Sequence, residues 1–538
     1  MTPRPPTVQE WLAHDPDPGS AAELAACSAD ELRERFAHSL TFGTAGLRGP
    51  LRAGPNGMNL AVVLRTTWGV TAVLAERGLG GGRVVVGYDA RHRSAEFGRA
   101  AAEVFAAQGF SVTLMPGPVP TPVVAFAVRR TGAVAGVQIT ASHNPPTDNG
   151  YKVYLDGGLQ IVSPTDRDIE QAIASAPPAD QIPRTAVDDS DADLLREYVE
   201  RAATVRRGAG SVRVALTPMH GVGGEFALDA LALAGIADVH VVTGQFAPDP
   251  NFPTVAFPNP EEPGAVDALL TLAADVDAEV AIALDPDADR CAIGIPSPDG
   301  WRMLSGDETG WLLGDYVLST CSAPASAVVA STVVSSRMLA AIAASYGARH
   351  VETLTGFKWL ARADDDVPGT LRYAYEEAIG HCVDPEAVRD KDGISAAVLA
   401  CDMVAALRTQ GLSVLDALDA LARRHGVHTT AAVTRRVDSP QQAAEIMTRL
   451  RHHPPASLGG FDLTVTDLQP RTDALVFTGG DDSTTLRVVV RPSGTEPKLK
   501  CYLEIRCEGE LDTARGRAAE LRDAAAEAVR DWGQRGPN

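Results

Sequence analysis

Short apolar runs alternate with Ala- and Leu-rich stretches through most of this chain, and that alternation limits the fold more than any other feature. RVVVGYD (83–89) is followed by a helix-like stretch from Ser94 to Gln108 and then by SVTLM (111–115). VRVALTP (212–218) leads into EFALDALALAG and then AEVAIALD (278–285), and AVVASTVV (327–334) precedes SRMLAAIAASYG. Strand, loop, helix, strand is the βαβ signature, and apolar strands with helices between them predict parallel-type sheets covered on both faces. Three such blocks begin near residues 83, 211 and 325, a spacing that suggests a repeated domain. Beyond residue 428 the texture changes. TAAVTRRV, FDLTVTDL, DALVFT, TLRVVVR and KCYLEIRC read as strands, framed by helices at 441–452 and 511–533. That pattern predicts a smaller α+β domain. The expected division is residues 1–207, 208–318, 319–428 and 429–538.

Composition enters as a filter on partners. The chain has 48 Lys+Arg against 69 Asp+Glu, a formal net charge of −21, and no basic run, so nucleic acid is not expected as a partner. No apolar run approaches the roughly 18 residues of a membrane span. The first residues lack a basic and apolar leader pattern. Seven scattered cysteines without a C-x-x-C pair fit thiols in a reducing cytoplasm, the expected compartment. Only five of the basic residues are lysines: Lys152, Lys358, Lys391, Lys498 and Lys500. A solvated surface accepts Arg and Lys alike, whereas a shaped site tells them apart.

Four segments carry chemistry. TASHNPPTDNGYKVY (140–154) places Ser142 and His143 in a loop after an apolar run. A serine there can serve as nucleophile or phosphoryl acceptor, or belong to a polar turn. In DPDADR (285–290), Asp285, Asp287 and Asp289 follow the strand AEVAIAL. Three carboxylates so close disfavour one another's ionisation, and a hard divalent cation, Mg²⁺, resolves the repulsion. An EF-hand would need Gly and Glu where this chain has Arg290 and Pro296. Arg290 adds a fixed cation suited to a phosphoryl group. TGFKWL (355–360) precedes YEEAIGH (375–381), whose Glu376 and Glu377 suit sugar hydroxyls or a solvated face. In RPSGTEPKLK (491–500), Arg491, Ser493, Gly494 and Thr495 supply a guanidinium, hydroxyls and a compact turn of N–H groups, a phosphate cradle. Neither a P-loop nor a G-x-G-x-x-G dinucleotide motif occurs in the chain.

In this order and at these spacings, the four segments closely resemble the α-D-phosphohexomutase superfamily, the phosphoglucomutases and phosphomannomutases. T-A-S-H-N-P looks like its phosphoserine loop, D-P-D-A-D-R its magnesium loop, Y-E-E-A-I-G its sugar loop and R-P-S-G-T-E-P its phosphate loop. FGTAGLRG (42–49), with Arg48, resembles its opening motif. The resemblance implies three related mixed-sheet α/β domains plus a smaller C-terminal α+β domain around a central cleft. It also implies a monomer or homodimer acting on a sugar phosphate. Ser142 would be phosphorylated and, with Asp285, Asp287 and Asp289, would bind Mg²⁺. Arg290 would clamp the transferring phosphoryl group, and Arg48, His143, Lys152 and Lys358 would surround the reacting centre. Thr355, Gly356, Glu376 and Glu377 would meet the sugar, while Arg491, Ser493, Gly494, Thr495 and Lys498 would hold the non-transferring phosphate. The implied reaction interconverts hexose 1-phosphate and hexose 6-phosphate, with glucose as the expected sugar, through a sugar 1,6-bisphosphate. Mannose or pentose phosphate turnover, or bisphosphate synthesis, are the alternatives. The glucose-specific branch often carries E-E-S-F-G where this chain has Ala378 and Ile379. One sugar-facing hydroxyl is thereby lost, so the chain looks nearer the phosphopentomutase-like phosphoglucomutases.

Overall fold

A computed structural model describes residues 6–43, 46–190, 192–493 and 498–532. The chain forms two compact units, one of residues 1–304 with 378–406, the other of residues 305–377 with 407–538.

The first unit contains two sheets. In one, the strands run in the order Leu47–Pro50, Asp148–Leu155, Ala135–Ile139, Arg83–Tyr88, Ser111–Leu114, with Leu159–Gln160 added to the second. Arg83–Tyr88 pairs in parallel with both Ser111–Leu114 and Ala135–Ile139, and the pairs made by Asp148–Leu155 are antiparallel. Ala135–Ile139 is buried along its whole length. Such a strand reads as a continuous apolar run, which is why it stands out in the sequence. The helix Ser94–Ala107 covers this sheet with Phe97, Ala101, Val104 and Phe105. The second sheet runs Gly300–Met303, Cys291–Ser297, Val280–Leu284, Val214–Thr217, Val239–Val241. Its central three strands on the Val239 side are parallel, and Cys291–Ser297 returns antiparallel to Val280–Leu284. Both sheets are therefore mixed, as the family resemblance implies, whereas the βαβ alternation alone predicted parallel pairing; the connections 140–147 and 285–290 carry no crossover helix, so the strands they join run antiparallel.

In the second unit, Arg349–Thr353, Ala327–Thr332 and Thr370–Glu376 make a parallel sheet. Its helix Gly306–Ser319 starts at a capping box in which Ser305 and Glu308 bond each other's backbone N–H groups. The remaining residues form an antiparallel sheet in the order Val427–Arg436, Lys498–Cys507, Thr484–Pro492, Leu475–Gly480, Thr464–Asp467. Helices Pro440–His452 and Leu511–Arg530 cover one face of that sheet, burying Leu503, Ile505 and Val488 with Ile446 and Ala518. The stretch FDLTVTDL departs from the single strand expected of it. Phe461–Asp462 turns back on Ser457–Leu458 through Gly459 and Gly460, both at positive φ, and a separate strand, Thr464–Asp467, pairs with Leu475–Gly480. The glycine pair permits the left-handed turn that splits the run. The mixed α/β domains and the smaller C-terminal domain agree with the expected fold class. The seven cysteines are free thiols. Among the described residues, no single helix is long and apolar enough to cross a membrane.

Candidate active site

Two loops meet at the ends of buried strands in the first unit. Residues 140–147 leave the strand Ala135–Ile139, and residues 285–290 leave Val280–Leu284. Ser142 is 1 % exposed, and its Oγ donates a hydrogen bond to Asp285 Oδ2 at 2.8 Å and lies 3.1 Å from His143 Nδ1. Ser142 adopts φ +53° and Ala288, between the second and third aspartates, φ +52°. Left-handed backbone at non-glycine residues costs of order 1 kcal/mol or more and persists where surrounding contacts enforce it. Here the Ser142 N–H donates to Thr140 Oγ1, and the Ser142 carbonyl accepts from Arg91 Nη2 at 2.6 Å.

Arg91 is the main brace of the serine loop. Its two terminal nitrogens donate to the carbonyls of Ser142, Asn144, Pro145 and Asp148, and it is 4 % exposed. A planar fork with several donors fits such a row of acceptors. Sequence reasoning did not single it out. The available signal was an arginine two residues after an apolar strand ending in Asp89, in YDARHRS.

Asp285, Asp287 and Asp289 are all buried, and each offers a carboxylate oxygen within 4.8 Å of the others'. Lys152 Nζ donates to Asp287 Oδ2 at 2.7 Å and to Asp289 Oδ2 at 2.8 Å, and Thr121 Oγ1 also donates to Asp287. Lys391 Nζ stands 3.2 Å from Asp289 Oδ2. Lys391 reaches the triad because Gly393, two residues on, packs against the aspartate loop. Its N–H donates to the Ala288 carbonyl, and a Cβ there would come within 2.4 Å of the Arg290 carbonyl oxygen. The sequence marked Lys391 as one of five lysines, but nothing local to RDKDG shows which carboxylate it meets.

The charges divide unequally over the triad. Burial acts to raise Asp287, yet the ammonium of Lys152 outweighs it and holds this carboxyl well below the usual range. Asp289 is also lowered, with Lys152, Lys391 and Arg290 overcoming burial and its neighbour Asp287. Asp285 goes the other way: burial, then Asp287 and Asp289, push it well above the usual range. Burial also lowers His143 well below an ordinary imidazole, with Arg290 and Arg48 adding to the effect, so it is neutral at physiological pH. Arg290 donates its backbone N–H to Asp285 Oδ1, and its guanidinium lies between Glu261 and Asp289 at 3.6 and 3.9 Å. Half-buried Arg48 pairs in register with Gly150 and donates to Asn144 Oδ1 at 3.5 Å.

The triad fits a hard divalent cation. Asp287 Oδ1 and Asp289 Oδ1 are buried without a hydrogen-bond donor among the described residues, and an orphaned buried carboxylate oxygen is costly. All-oxygen donors converging at this separation suit Mg²⁺.

The other expected residues lie in the second unit. Thr355 and Gly356, the latter at φ +110°, precede the one-turn helix Phe357–Leu360 that carries Lys358. Glu376 ends the strand Thr370–Glu376 and is buried. Glu377 Oε2 accepts from Thr332 Oγ1 and Ser335 Oγ at 3.1 and 3.0 Å. Arg491 pairs in register with Lys500 and hydrogen-bonds the Tyr502 side chain. The Ser493 N–H donates to the Lys498 carbonyl, joining the two ends of the phosphate loop. Gly494 and Thr495 fall outside the described residues. The structure thus gathers Ser142, His143, Lys152, Asp285, Asp287, Asp289, Arg290 and Arg48 in one unit, and Thr355, Gly356, Lys358, Glu376, Glu377, Arg491, Ser493 and Lys498 in the other.

Comparison with known proteins settles the lineage of this arrangement. Residues 39–179, 196–297 and 305–425 match alpha/beta/alpha domains I, II and III of phosphoglucomutase/phosphomannomutase, and residues 465–524 match its C-terminal domain. The chain belongs to the phosphoglucomutase/phosphomannomutase family. It is 41% identical over 452 residues to a Haemophilus influenzae protein named "Probable phosphomannomutase", covering 80% of this chain and 90% of that one. It is 35% identical over 560 residues to mouse phosphopentomutase, covering 92% and 89%. A phosphoglucomutase/phosphomannomutase family protein from Burkholderia thailandensis has the same fold, with a TM-score of 0.71 at 20% identity over 92% of this chain and 98% of that one. Members of this family are isomerases that move a phosphoryl group within a sugar phosphate, and the family is magnesium-dependent. This chain is accordingly a mutase of the phosphohexomutase family acting on sugar phosphates.

Proposed function

We propose that the protein interconverts hexose 1-phosphate and hexose 6-phosphate, with glucose as its sugar, through a phosphorylated Ser142 and a sugar 1,6-bisphosphate. The observation that carries this reading is the contact of Ser142 Oγ with Asp285 at the edge of a buried triad whose free oxygens fit Mg²⁺. Asp285, Asp287 and Asp289, with an oxygen of phosphorylated Ser142, would hold Mg²⁺, which when bound neutralises phosphoryl charge. Everything else falls to the chain's own groups. Lys152 and Lys391 balance the aspartates, so the loop carries its charge without unfolding. Arg290 and Arg48 add fixed positive charge beside Ser142, and phosphoryl transfer depends chiefly on such positioning and charge neutralisation. Neutral His143, beside Ser142 Oγ, is suited to take or return a proton at that oxygen. Glu376 and Glu377 would read sugar hydroxyls, Thr355, Gly356 and Lys358 would line the same pocket, and Arg491, Ser493, Gly494, Thr495 and Lys498 would hold the phosphate that stays. The chain would work in the cytoplasm, in four domains with boundaries near 207, 318 and 428.

A second reading has specific support. Ala378 and Ile379 stand where the glucose branch often has Ser and Phe, so one sugar-facing hydroxyl is lost, and mouse phosphopentomutase matches nearly the whole chain. That favours a pentose phosphate. Turnover on glucose, mannose and ribose 1-phosphates, compared as kcat/KM, decides between them. Glucose 1-phosphate leading by tenfold or more supports the first reading, and ribose 1-phosphate leading replaces it. Intact mass after incubation with glucose 1,6-bisphosphate should show one added phosphoryl group, absent in Ser142→Ala. A Ser142→Ala enzyme with undiminished turnover would remove the phosphoserine from the scheme.

A further inference from the structure

We infer that Asp307 is a positioning residue for the sugar loop, fixing Glu377 through a hydrogen-bonded brace that also includes Ser335, Ser336 and Tyr375. The inference rests on the reading of Glu377 as a sugar-binding residue. Asp307 is the second residue of the helix Gly306–Ser319 and is 5 % exposed. Its Oδ1 accepts from the Ser336 N–H at 2.8 Å and from the Tyr375 hydroxyl at 2.9 Å. Those two donors flank the grip on Glu377. Tyr375 lies two residues before it, on the strand Thr370–Glu376 that leads into it. Ser336 follows Ser335, whose hydroxyl donates to the Glu377 carboxylate at 3.0 Å and accepts from the Glu377 N–H at 3.2 Å. One carboxylate oxygen thus ties the strand end to the turn that holds the glutamate by side chain and backbone together.

The turn is also fixed from its far side. Glu504 Oε1 accepts from Ser336 Oγ at 2.6 Å and from the Arg337 N–H at 2.8 Å, and pairs with His428 Nδ1 at 2.8 Å. Tyr375 has no room to move, because a Cβ on Gly310 would come within 2.4 Å of its ring. Three carboxylates in one network, two of them buried and Glu377 half-buried, are expensive, since burial and the charges of Glu377 and Glu504 all oppose ionisation of Asp307. An apolar filling would pack the same space more cheaply. What the polar network supplies is direction, holding one carboxylate in one rotamer as a recognition residue requires.

The test compares KM and kcat for glucose 1-phosphate in the full-length enzyme carrying Asp307→Ala, Asp307→Asn or Tyr375→Phe, with Glu377→Ala as reference. Asp307→Ala should raise KM about tenfold with kcat within about threefold, the pattern of lost binding geometry. Asp307→Asn keeps an oxygen for both donors and should stay within about twofold of wild type. Tyr375→Phe removes one donor, should raise KM about threefold, and carries the test if Asp307→Ala does not fold. In the double variant with Glu377→Ala, Asp307→Ala should add nothing further. A KM unchanged in Asp307→Ala or Tyr375→Phe while Glu377→Ala raises it overturns the brace alone, as does an additive double variant. An unchanged KM in Glu377→Ala overturns the sugar-loop reading beneath it.

Discussion

Replacing Lys152 by methionine probes how the aspartate triad is balanced, because the change keeps the length and apolar stem of the side chain and deletes its charge. Lys152 is 1 % exposed and spans two carboxylates, Asp287 at 2.7 Å and Asp289 at 2.8 Å. Breaking a buried ion pair from one side costs about 3–5 kcal/mol, since the abandoned charge stays buried. The two aspartates are not equally exposed to that loss. Asp289 keeps Lys391 at 3.2 Å, whereas Asp287 keeps only the Thr121 hydroxyl as a side-chain hydrogen-bond donor among the described residues, with Arg48 and Arg91 acting on it at longer range. One abandoned carboxylate rather than two places the expected loss at the lower end, about 3 kcal/mol, in a metal-free first unit. Mg²⁺ replaces the missing charge, so the deficit should shrink by half or more when it is added. Mg²⁺ should also bind Lys152→Met more tightly than wild type. The deficit should also narrow below about pH 4. In wild type, the lowered Asp287 contributes stability above its unfolded value of 3.8 and loses it as pH falls through the folded value, and Lys152→Met has no such contribution to lose. Calorimetric unfolding of both proteins, in EDTA and at saturating Mg²⁺, measures the difference directly. A loss under 1 kcal/mol in EDTA, or one that Mg²⁺ leaves unchanged, would refute this account of the charge balance.

Three further outcomes follow from the same structure. Arg91→Lys, which keeps the charge but loses the fork donating to four carbonyls, should cost about 2 kcal/mol and raise amide exchange across residues 142–148, read by mass spectrometry. Asp285→Asn should abolish most of the thermal stabilisation that Mg²⁺ gives wild type, because the site loses a carboxylate without losing its fold. In the second unit, burial pulls His350 down to about 4, so the unfolded chain takes up a proton below 6.5 that the fold refuses, and stability falls as pH drops from about 6.5 to about 4. Burial pushes Asp307 up to about 7, so the proton it holds stabilises the fold at low pH and that contribution is lost as pH rises from about 4 through 7. Melting temperatures from pH 4.5 to 8 should show His350→Gln removing part of the acid-side loss and Asp307→Asn removing part of the loss toward neutrality.

Much of the site was legible because its chemistry is local. The three aspartates sit at alternate positions after one apolar strand, and Ser142 lies three residues past another, so their crowding and placement follow from a few residues of sequence. Arg91 and Thr121 were not legible. Each reaches its partner across 50 or more residues, Arg91 to the Ser142 carbonyl and Thr121 to Asp287, and no local pattern encodes such a meeting. The break in FDLTVTDL was also hidden, since it depends on which neighbour each half pairs with.

The lysines show where the division falls. By itself the sequence determined the α/β domains with a strand-rich C-terminal domain, the crowding of three aspartates after one apolar strand, and the scarcity that made five lysines worth following. Periodicity, loop chemistry and composition are properties of neighbouring residues, and they survive without a fold. The partners of those lysines were decided only in three dimensions. Lys152 and Lys391 lie 239 residues apart, yet both ammonium groups bear on Asp289 Oδ2. What joins them is the packing of Gly393 against the aspartate loop and the register that sets Lys152 beside Gln138 on a buried strand. Long-range electrostatic pairing is set by which strands and turns share a core, and only the folded chain specifies that.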